Sequence, residues 1–323
     1  MTVTVRSFAK INLGLRIGAA REDGFHQLLT VYQTIAVHDV IRVSVGRGSG
    51  IEIQCKDARV PRDETNTCYR IVERAMSAIR AKGRVVIEIE KRLPVQGGMG
   101  GASSNAVATL LGLERALRKS LPAAERLRIA AEVGSDLPLF LVGGTVLGVG
   151  RGEEVYPVED LVGMACVVAT PEVGVSTPKA FAAWDAVAAG KLTAPGGSDR
   201  MNGLGRGLSA WLSETASSAP SKILAGRGRA ENQLLWLVRA GIENDFERVV
   251  FPEYPELSEV KGALLRAGAK YASLSGSGST LYGLFASKEA AALAAGKLRK
   301  QGWTALATVT LTRRAYWRRM VAD

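Results

Sequence analysis

Cysteine and histidine are both scarce in this chain, and their scarcity rules out whole classes of chemistry. The three cysteines, Cys55, Cys68 and Cys166, lie far apart and form no Cys-x-x-Cys pair, which excludes a disulfide framework and a cysteine zinc site. His26 and His38 are the only histidines, so a histidine-rich metal centre is excluded too. The longest apolar runs, near Leu137 to Val149 and Leu161 to Ala169, are too short or too broken by glycine to span a bilayer. The opening residues lack the apolar core of a signal peptide. A reduced, cytoplasmic setting without a membrane partner is therefore expected. Aromatic residues are few and do not interleave with basic ones as in RNA-binding surfaces.

Charge of one sign is in excess. The formal net charge is +11, yet Lys and Arg are dispersed apart from a basic tail at Arg313, Arg314, Arg318 and Arg319. Dispersed charge reads first as a solvated surface and second as an attraction for anionic metabolites. Nucleic acid as a partner is not expected.

The length suits two ordinary domains. Strand-like alternation marks Thr2 to Val5, Ile11 to Ile17, Ile41 to Val45, Ile51 to Ile53 and Val85 to Glu90. Helical spacing marks Thr67 to Arg80, the stretch holding Val107, Leu110, Leu111 and Leu117, and Ala123 to Val133. An apolar helix is expected after Asp136. Met164 to Ala169, Tyr271 to Leu274, Thr280 to Phe285 and Ala305 to Leu311 read as strands, and Ser287 caps a helix reaching about Gln301. Short β-rich stretches ahead of helices predict an α+β fold. We place its domains at 1–155 and 156–323. A Gly-, Ala- and Ser-rich excursion over about 186–229 is predicted to be irregular, with one or two weak helices.

The most informative stretch is Pro94-Val95-Gln96-Gly97-Gly98-Met99-Gly100-Gly101-Ala102-Ser103-Ser104, between a strand and a helix. Glycines can turn successive N–H groups toward one point, and a helix N-terminus adds its dipole. The stretch reads as a phosphate cradle, with a glycine-rich turn that merely packs tightly as the alternative, and Ser103 and Ser104 are expected to cap the helix. The stretch lacks the Gly-Lys-Ser/Thr ending of a P-loop and the spacing of the dinucleotide fingerprint. A second loop, Ser275-Gly276-Ser277-Gly278-Ser279, could face the same anion or be a plain turn.

Three further groups bear chemistry. Lys10 and Asn12 fall on one face of a strand with apolar neighbours, where a charge is costly unless paired or used; a solvated edge strand is the alternative. Asp136, ahead of Pro138, reads alone as a helix cap, and otherwise as a carboxylate held ionised to accept a hydroxyl proton. Asp23-Gly24-Phe25-His26 is a turn with an aromatic and an imidazole, suited to a planar heterocycle or simply structural.

Taken in order, Ala9-Lys10-Ile11-Asn12-Leu13, Arg21-Glu22-Asp23-Gly24-Phe25-His26, Pro94 to Ser104, Gly134-Ser135-Asp136-Leu137-Pro138 and Leu274 to Gly278 resemble the GHMP kinase superfamily. The glycine loops are shared across it; the first two motifs are narrower and select the branch that phosphorylates a cytidylyl diphosphate sugar alcohol. The resemblance implies an N-terminal ribosomal-protein-S5-like domain, a C-terminal ferredoxin-like α/β sandwich, ATP with Mg²⁺, and a monomer or homodimer. It implies that Asp136 is the base, with Lys10 beside it. Gly97, Gly98, Gly100, Gly101, Ala102, Ser103 and Ser104, with Pro94, would wrap the ATP phosphates, and Asn66 would sit near the adenine. Phe25 and His26 would hold the cytosine, with Asn12 nearby and Ser176 and Thr177 lining the substrate side. Phe25 stands where tyrosine is commoner, and Gln96 and Met99 vary the glycine loop. Rival readings are a kinase for homoserine or a mevalonate derivative, and a catalytically silent nucleotide sensor.

Overall fold

Alternating apolar residues such as Val3, Val5, Ile11 and Leu13 drive the first strand, β1 (Thr2–Ala20), which runs far beyond the two short segments expected. It pairs antiparallel with β2 (His26–Gly46) through the turn at Asp23-Gly24. The ladder shifts register between Phe8 and Ala9, again between Asn12 and Gly14, and again near Ala20. Lys10 and Asn12 thus stand between two irregularities, where strands re-aim side chains. This computed structural model describes residues 1–95, 97–161, 163–188, 197–217 and 242–322.

After β3 (Ile51–Cys55), helix α1 (Thr67–Ile79) crosses over to β4 (Arg84–Glu90), which lies parallel to β3. Then come α2 (Gly101–Leu117), α3 (Ala123–Val133), α4 (Leu137–Val142), β5 (Thr145–Val149) and β6 (Glu154–Pro157). The second half contributes β7 (Ala165–Ala169), α5 (Thr177–Ala188) and α6 (Gly197–Ser217), then α7 (Glu247–Glu253) and α8 (Pro255–Arg266). It closes with β8 (Tyr271–Leu274), β9 (Leu281–Phe285), α9 (Lys288–Lys300), β10 (Ala305–Val309), α10 (Arg313–Met320) and β11 (Val321–Ala322).

Among the described residues these strands make two sheets. The first runs β11-β1-β2-β4-β3, with β5 joining β2 and β6 joining β5; the second runs β10-β7-β9-β8. The final strand therefore returns to the first sheet. One core lies under α1 to α4, and another joins β7 to β10 with α5 and α7 to α9. A third cluster places Ala9, Ile11, Leu13 and Met99 against Val168, Tyr282 and Leu284. It seals the two sheets together just where β1 carries its polar pair. The fold is α+β.

Several local expectations are corrected. Ser103 and Ser104 do not cap α2: Gly100 is the N-cap, and the amide of Ser104 already donates to the Gly100 carbonyl at 2.9 Å. With Gly98 at φ +74° and Gly100 at φ +67°, the chain enters helical geometry earlier than a serine cap would allow. The apolar helix expected after Asp136 is present, six residues long, and gives way at Thr145 to a strand. Within the expected excursion, 197–217 is one helix, whereas 189–196 and 218–229 lie outside the described residues, as does Gln96.

Candidate active site

The two glycine loops meet. A Cβ on Gly98 would lie 2.1 Å from the Ser275 carbonyl oxygen, so only glycine permits this approach. Ser275 Oγ donates to the Gly98 carbonyl at 3.0 Å, and the Thr280 amide donates to that of Gly97 at 3.2 Å. The second loop is held from beneath by Asn244, whose Nδ2 donates to the carbonyls of Leu274 and Gly276, both at 2.8 Å. Beside the first loop opens a cavity of about 360 Å³ lined by Val60, Pro61, Asn66, Lys91, Pro94 and the segment from Gly97 to Ser103. A larger cavity of about 610 Å³ lies between β2 and β10; it touches the first glycine loop at Pro94 and Met99 but none of its glycines. The smaller one carries the amides and the helix N-terminus suited to a polyphosphate.

Lys10 reaches this floor from β1. Its amide donates to the Met99 carbonyl at 3.1 Å, which ties the strand to the glycine loop. The Nζ donates to Asn12 Oδ1 at 2.7 Å and lies 3.4 Å from Asp136 Oδ2. Asn12 passes the chain on, its Nδ2 donating to Thr30 Oγ1 at 2.8 Å. Asp136 stands at the N-terminus of α4 but its carboxylate caps no amide there. Instead it accepts from the Tyr32 hydroxyl at 3.1 Å, and the Lys10 ammonium sits 5.5 Å from the Tyr32 ring centre. Burial, and then the charge of Asp136, holds the Tyr32 phenol well above its usual pKa, so it remains a donor. The carboxylate is thus oriented on one oxygen by a phenol and on the other by an ammonium, and it is one-third exposed. Such a group can take a proton from a hydroxyl set beside it. Gly276 of the second loop is close as well: its Cβ would lie 3.7 Å from Lys10 Nζ.

The turn motif lies at the start of β2. Phe25 is half exposed, with the Arg151 guanidinium 4.9 Å from its ring centre. His26 is buried, stacks on Phe181 at 4.8 Å with 12° between planes, and places Nε2 2.6 Å from Asp185 Oδ1. His26 and Tyr32 stand six positions apart, or about 20 Å along β2.

Other expected site residues fall in varied places. Asn66 lines the cavity, but its Oδ1 caps α1 by accepting from the Cys68 amide at 2.8 Å and its Nδ2 donates to the Pro61 carbonyl at 2.6 Å. Ser104 is buried, donating through its hydroxyl to the Phe8 carbonyl and through its amide to the Gly100 carbonyl while accepting from Ser7, so it is spent inside the fold and does not line the cavity as expected. Ala102 and Ser103 line the cavity's mouth, with Gly101 at the start of α2. Thr177 opens α5 and shares a hydrogen bond of 2.7 Å with Ser277 of the second loop, whereas Ser176 is exposed. Sequence reasoning passed over Tyr32, Lys91, Phe181, Asp185 and Asn244. Tyr32 sits inside an apolar alternation, and the others lie on elements whose patterns read as ordinary helix, strand end or loop. Among the described residues no cluster of three or more histidine, cysteine or carboxylate groups could hold a metal, and no helix is long and apolar enough to cross a membrane.

Comparison with known proteins extends these observations. Residues 66–144 match the GHMP kinases N terminal domain, and residues 223–302 match the GHMP kinases C terminal model. A 4-diphosphocytidyl-2-C-methyl-D-erythritol kinase of Solibacter usitatus is 35% identical over 320 residues, covering 99% of this chain and 93% of that protein. One from a Synechococcus strain is 35% identical over 304 residues, covering 92% and 90%. The crystal structure of a 4-(cytidine 5'-diphospho)-2C-methyl-D-erythritol kinase superposes with a TM-score of 0.71 at 28% identity, covering 95% of this chain and 98% of that one. A homoserine kinase from Cytophaga hutchinsonii superposes with a TM-score of 0.73 at 21% identity, a likeness of fold.

Proposed function

The chain belongs to the GHMP kinases and, within them, to the 4-diphosphocytidyl-2-C-methyl-D-erythritol kinase family, and from that premise we infer its reaction and the residues that perform it. It is an ATP-dependent small-molecule kinase that phosphorylates the 2-hydroxyl of 4-diphosphocytidyl-2-C-methyl-D-erythritol, in the non-mevalonate route to isoprenoid precursors. The observation that supports this assignment of residues is the 3.4 Å approach of Lys10 Nζ to Asp136 Oδ2 beside two interlocked glycine loops.

In the proposed mechanism the first glycine loop, with Pro94, Gly97, Gly98, Gly100, Gly101, Ala102 and Ser103, cradles the nucleotide's phosphates, Ser104 braces the start of the helix behind it, and Asn66 shapes the adenine end. The substrate lies along β2: its cytosine rests by Phe25 and His26, and its alcohol reaches Asp136 and Tyr32. Asn12 and Thr177 border that path. Asp136 takes the hydroxyl proton as the oxygen bonds to the terminal phosphorus, the bond to the bridging oxygen breaks and ADP departs. Lys10 keeps Asp136 ionised and offsets charge on the transferring group. Transfer is direct, without a phosphoenzyme. Mg²⁺ would be held with ATP, and the Ser103 hydroxyl, which lines the cradle, is an oxygen donor suited to hold it. When bound it would neutralise phosphate charge. The enzyme would work in the cytoplasm, where its three buried free thiols remain reduced.

The test is a panel of alcohols with ATP and Mg²⁺, read by ADP release and by ³¹P NMR of the product. The cytidylyl substrate should gain a phosphomonoester on its 2-oxygen, while homoserine and mevalonate derivatives should not react. Turnover of either rival at a comparable kcat/KM would overturn the assignment, and no turnover of any alcohol would leave a nucleotide sensor.

A further inference from the structure

We propose that Asp185 is a positioning residue that fixes the tautomer of His26, and through it the preference for a pyrimidine bearing an exocyclic amine over one bearing a carbonyl. The inference rests on the reading of Phe25 and His26 as the base-binding end of the site.

The contact itself fixes where one proton sits. An ionised carboxylate can only accept, so Nε2 of His26, 2.6 Å from Asp185 Oδ1, carries the hydrogen. The ring is also held by its face. Phe181 stacks on it at 4.8 Å, and Phe246 meets Phe181 edge-on at 4.9 Å and 76°. Phe181 and Asp185 stand four residues apart on α5, so they share one face of that helix. A single element thus grips the imidazole by plane and by edge. His26 is only 7% exposed, and turning the ring over would keep the stack on Phe181 but break the contact with Asp185.

Pinning the proton on Nε2 leaves Nδ1 of the neutral ring as an acceptor. Among the described residues no protein donor is bonded to it. A ligand approaching this edge must therefore bring an N–H. The 4-amino group of cytosine is such a donor. The 4-oxo group of uracil would set lone pair against lone pair, and a site built to pair with a donor discriminates strongly against an analogue that lacks it. His38 offers an internal contrast: its Nδ1 lies 2.9 Å from the Ala36 carbonyl, so that ring carries its proton on Nδ1 instead.

The chain's two histidines make the test direct. In the full-length protein labelled with ¹⁵N-histidine, long-range ¹H–¹⁵N spectra at neutral pH should show one Nε2–H ring and one Nδ1–H ring. In Asp185→Ala the first should move toward a mixture of tautomers while the second stays fixed. Asp185 is half exposed, so this variant should keep its fold. With saturating ATP, Asp185→Ala should raise KM for the cytidylyl substrate about tenfold, the scale of one lost hydrogen bond, with kcat within about twofold. Its preference over the uridylyl analogue should fall by a similar factor, and Asp185→Glu should restore part of both. Wild-type KM and preference in Asp185→Ala, an unchanged His26 spectrum, or a His26 carrying protons on both nitrogens in the wild type would each overturn the proposal. A wild type that does not turn over the cytidylyl substrate would instead sink the reading on which the specificity half depends, while the spectra still decide the link between Asp185 and His26.

Discussion

A lysine ammonium that is 3% exposed survives burial only because its surroundings repay the lost hydration. For Lys10 the repayment comes from the Asn12 carbonyl, the Asp136 carboxylate and the Tyr32 ring. The cost of a charge in a half-buried strand is legible in the sequence, and it singled out Lys10 and Asn12. Asp136 was ambiguous there, because a carboxylate before a helix reads equally as a cap; only coordinates reveal that its oxygens turn to Tyr32 and Lys10. Tyr32 was invisible, since an aromatic inside an apolar alternation looks like core. Two outcomes follow at this scale. Tyr32→Phe removes the donor to Asp136 and should lower kcat by about tenfold or more with KM for ATP unchanged, as expected for a hydrogen bond to a charged group. Steady-state kinetics check it, and an unchanged kcat would make the phenol packing alone. Phe25→Ala should weaken the cytidylyl substrate by ~1–3 kcal/mol, the scale of a base stacked on an aromatic. Calorimetric titration reads that loss, and wild-type affinity would remove Phe25 from the base site.

Elements place these residues through contacts that local patterns only half disclose. The glycine-rich loop could be read as an anion cradle from composition, yet its clasp on the second loop could not, because Ser275 lies 177 positions from Gly98. The first part of β2, ahead of the Ile41 to Val45 stretch that does read as a strand, was the larger omission. Its buried polar residues, among them Thr30, Gln33 and Thr34, interrupt the alternation that marks a strand. They are buried because they serve hydrogen-bond networks, as when Thr30 accepts from Asn12 and donates to the Gly14 carbonyl. A pair of glycine variants separates strain from contact. Gly98→Ala forces a Cβ into the Ser275 carbonyl and should cost at least tenfold in kcat/KM for ATP. Gly24→Ala has φ +81° but nothing within 4 Å of its Cβ, so it should cost about 1–2 kcal/mol of stability, the left-handed penalty, and leave the ATP parameters alone. Equal effects on ATP from both variants would contradict the clasp.

At the scale of the whole molecule, two sheets meet across one apolar cluster, and the site opens where β1 and the glycine loops reach that seam. The order of strand-like and helical stretches disclosed the α+β class, and the family motifs disclosed the two-part plan. The return of β11 to β1 was not legible, because two residues at a strand's end carry no pattern. Burial also sets the pH response of the fold. It pushes the phenols of Tyr32, Tyr282 and Tyr316 well above their usual value and lifts the Cys68 thiol to about 12. The unfolded chain releases these protons from about pH 8.5 for cysteine and about pH 10 for tyrosine, whereas the folded chain retains them. The stability they lend is whole below those values and is lost as the pH rises through the folded ones. Urea midpoints should therefore fall between pH 8 and pH 11 with an unchanged slope; a flat midpoint would contradict this. The central claim, that Asp136 accepts the hydroxyl proton while Lys10 steadies it, is met most directly by Asp136→Asn. At saturating ATP and cytidylyl substrate its kcat should fall by ~10²–10⁴, the usual worth of general-base help, with both ligands still bound at wild-type affinity by calorimetry. A kcat near that of the wild type would make Asp136 a structural residue and contradict the mechanism.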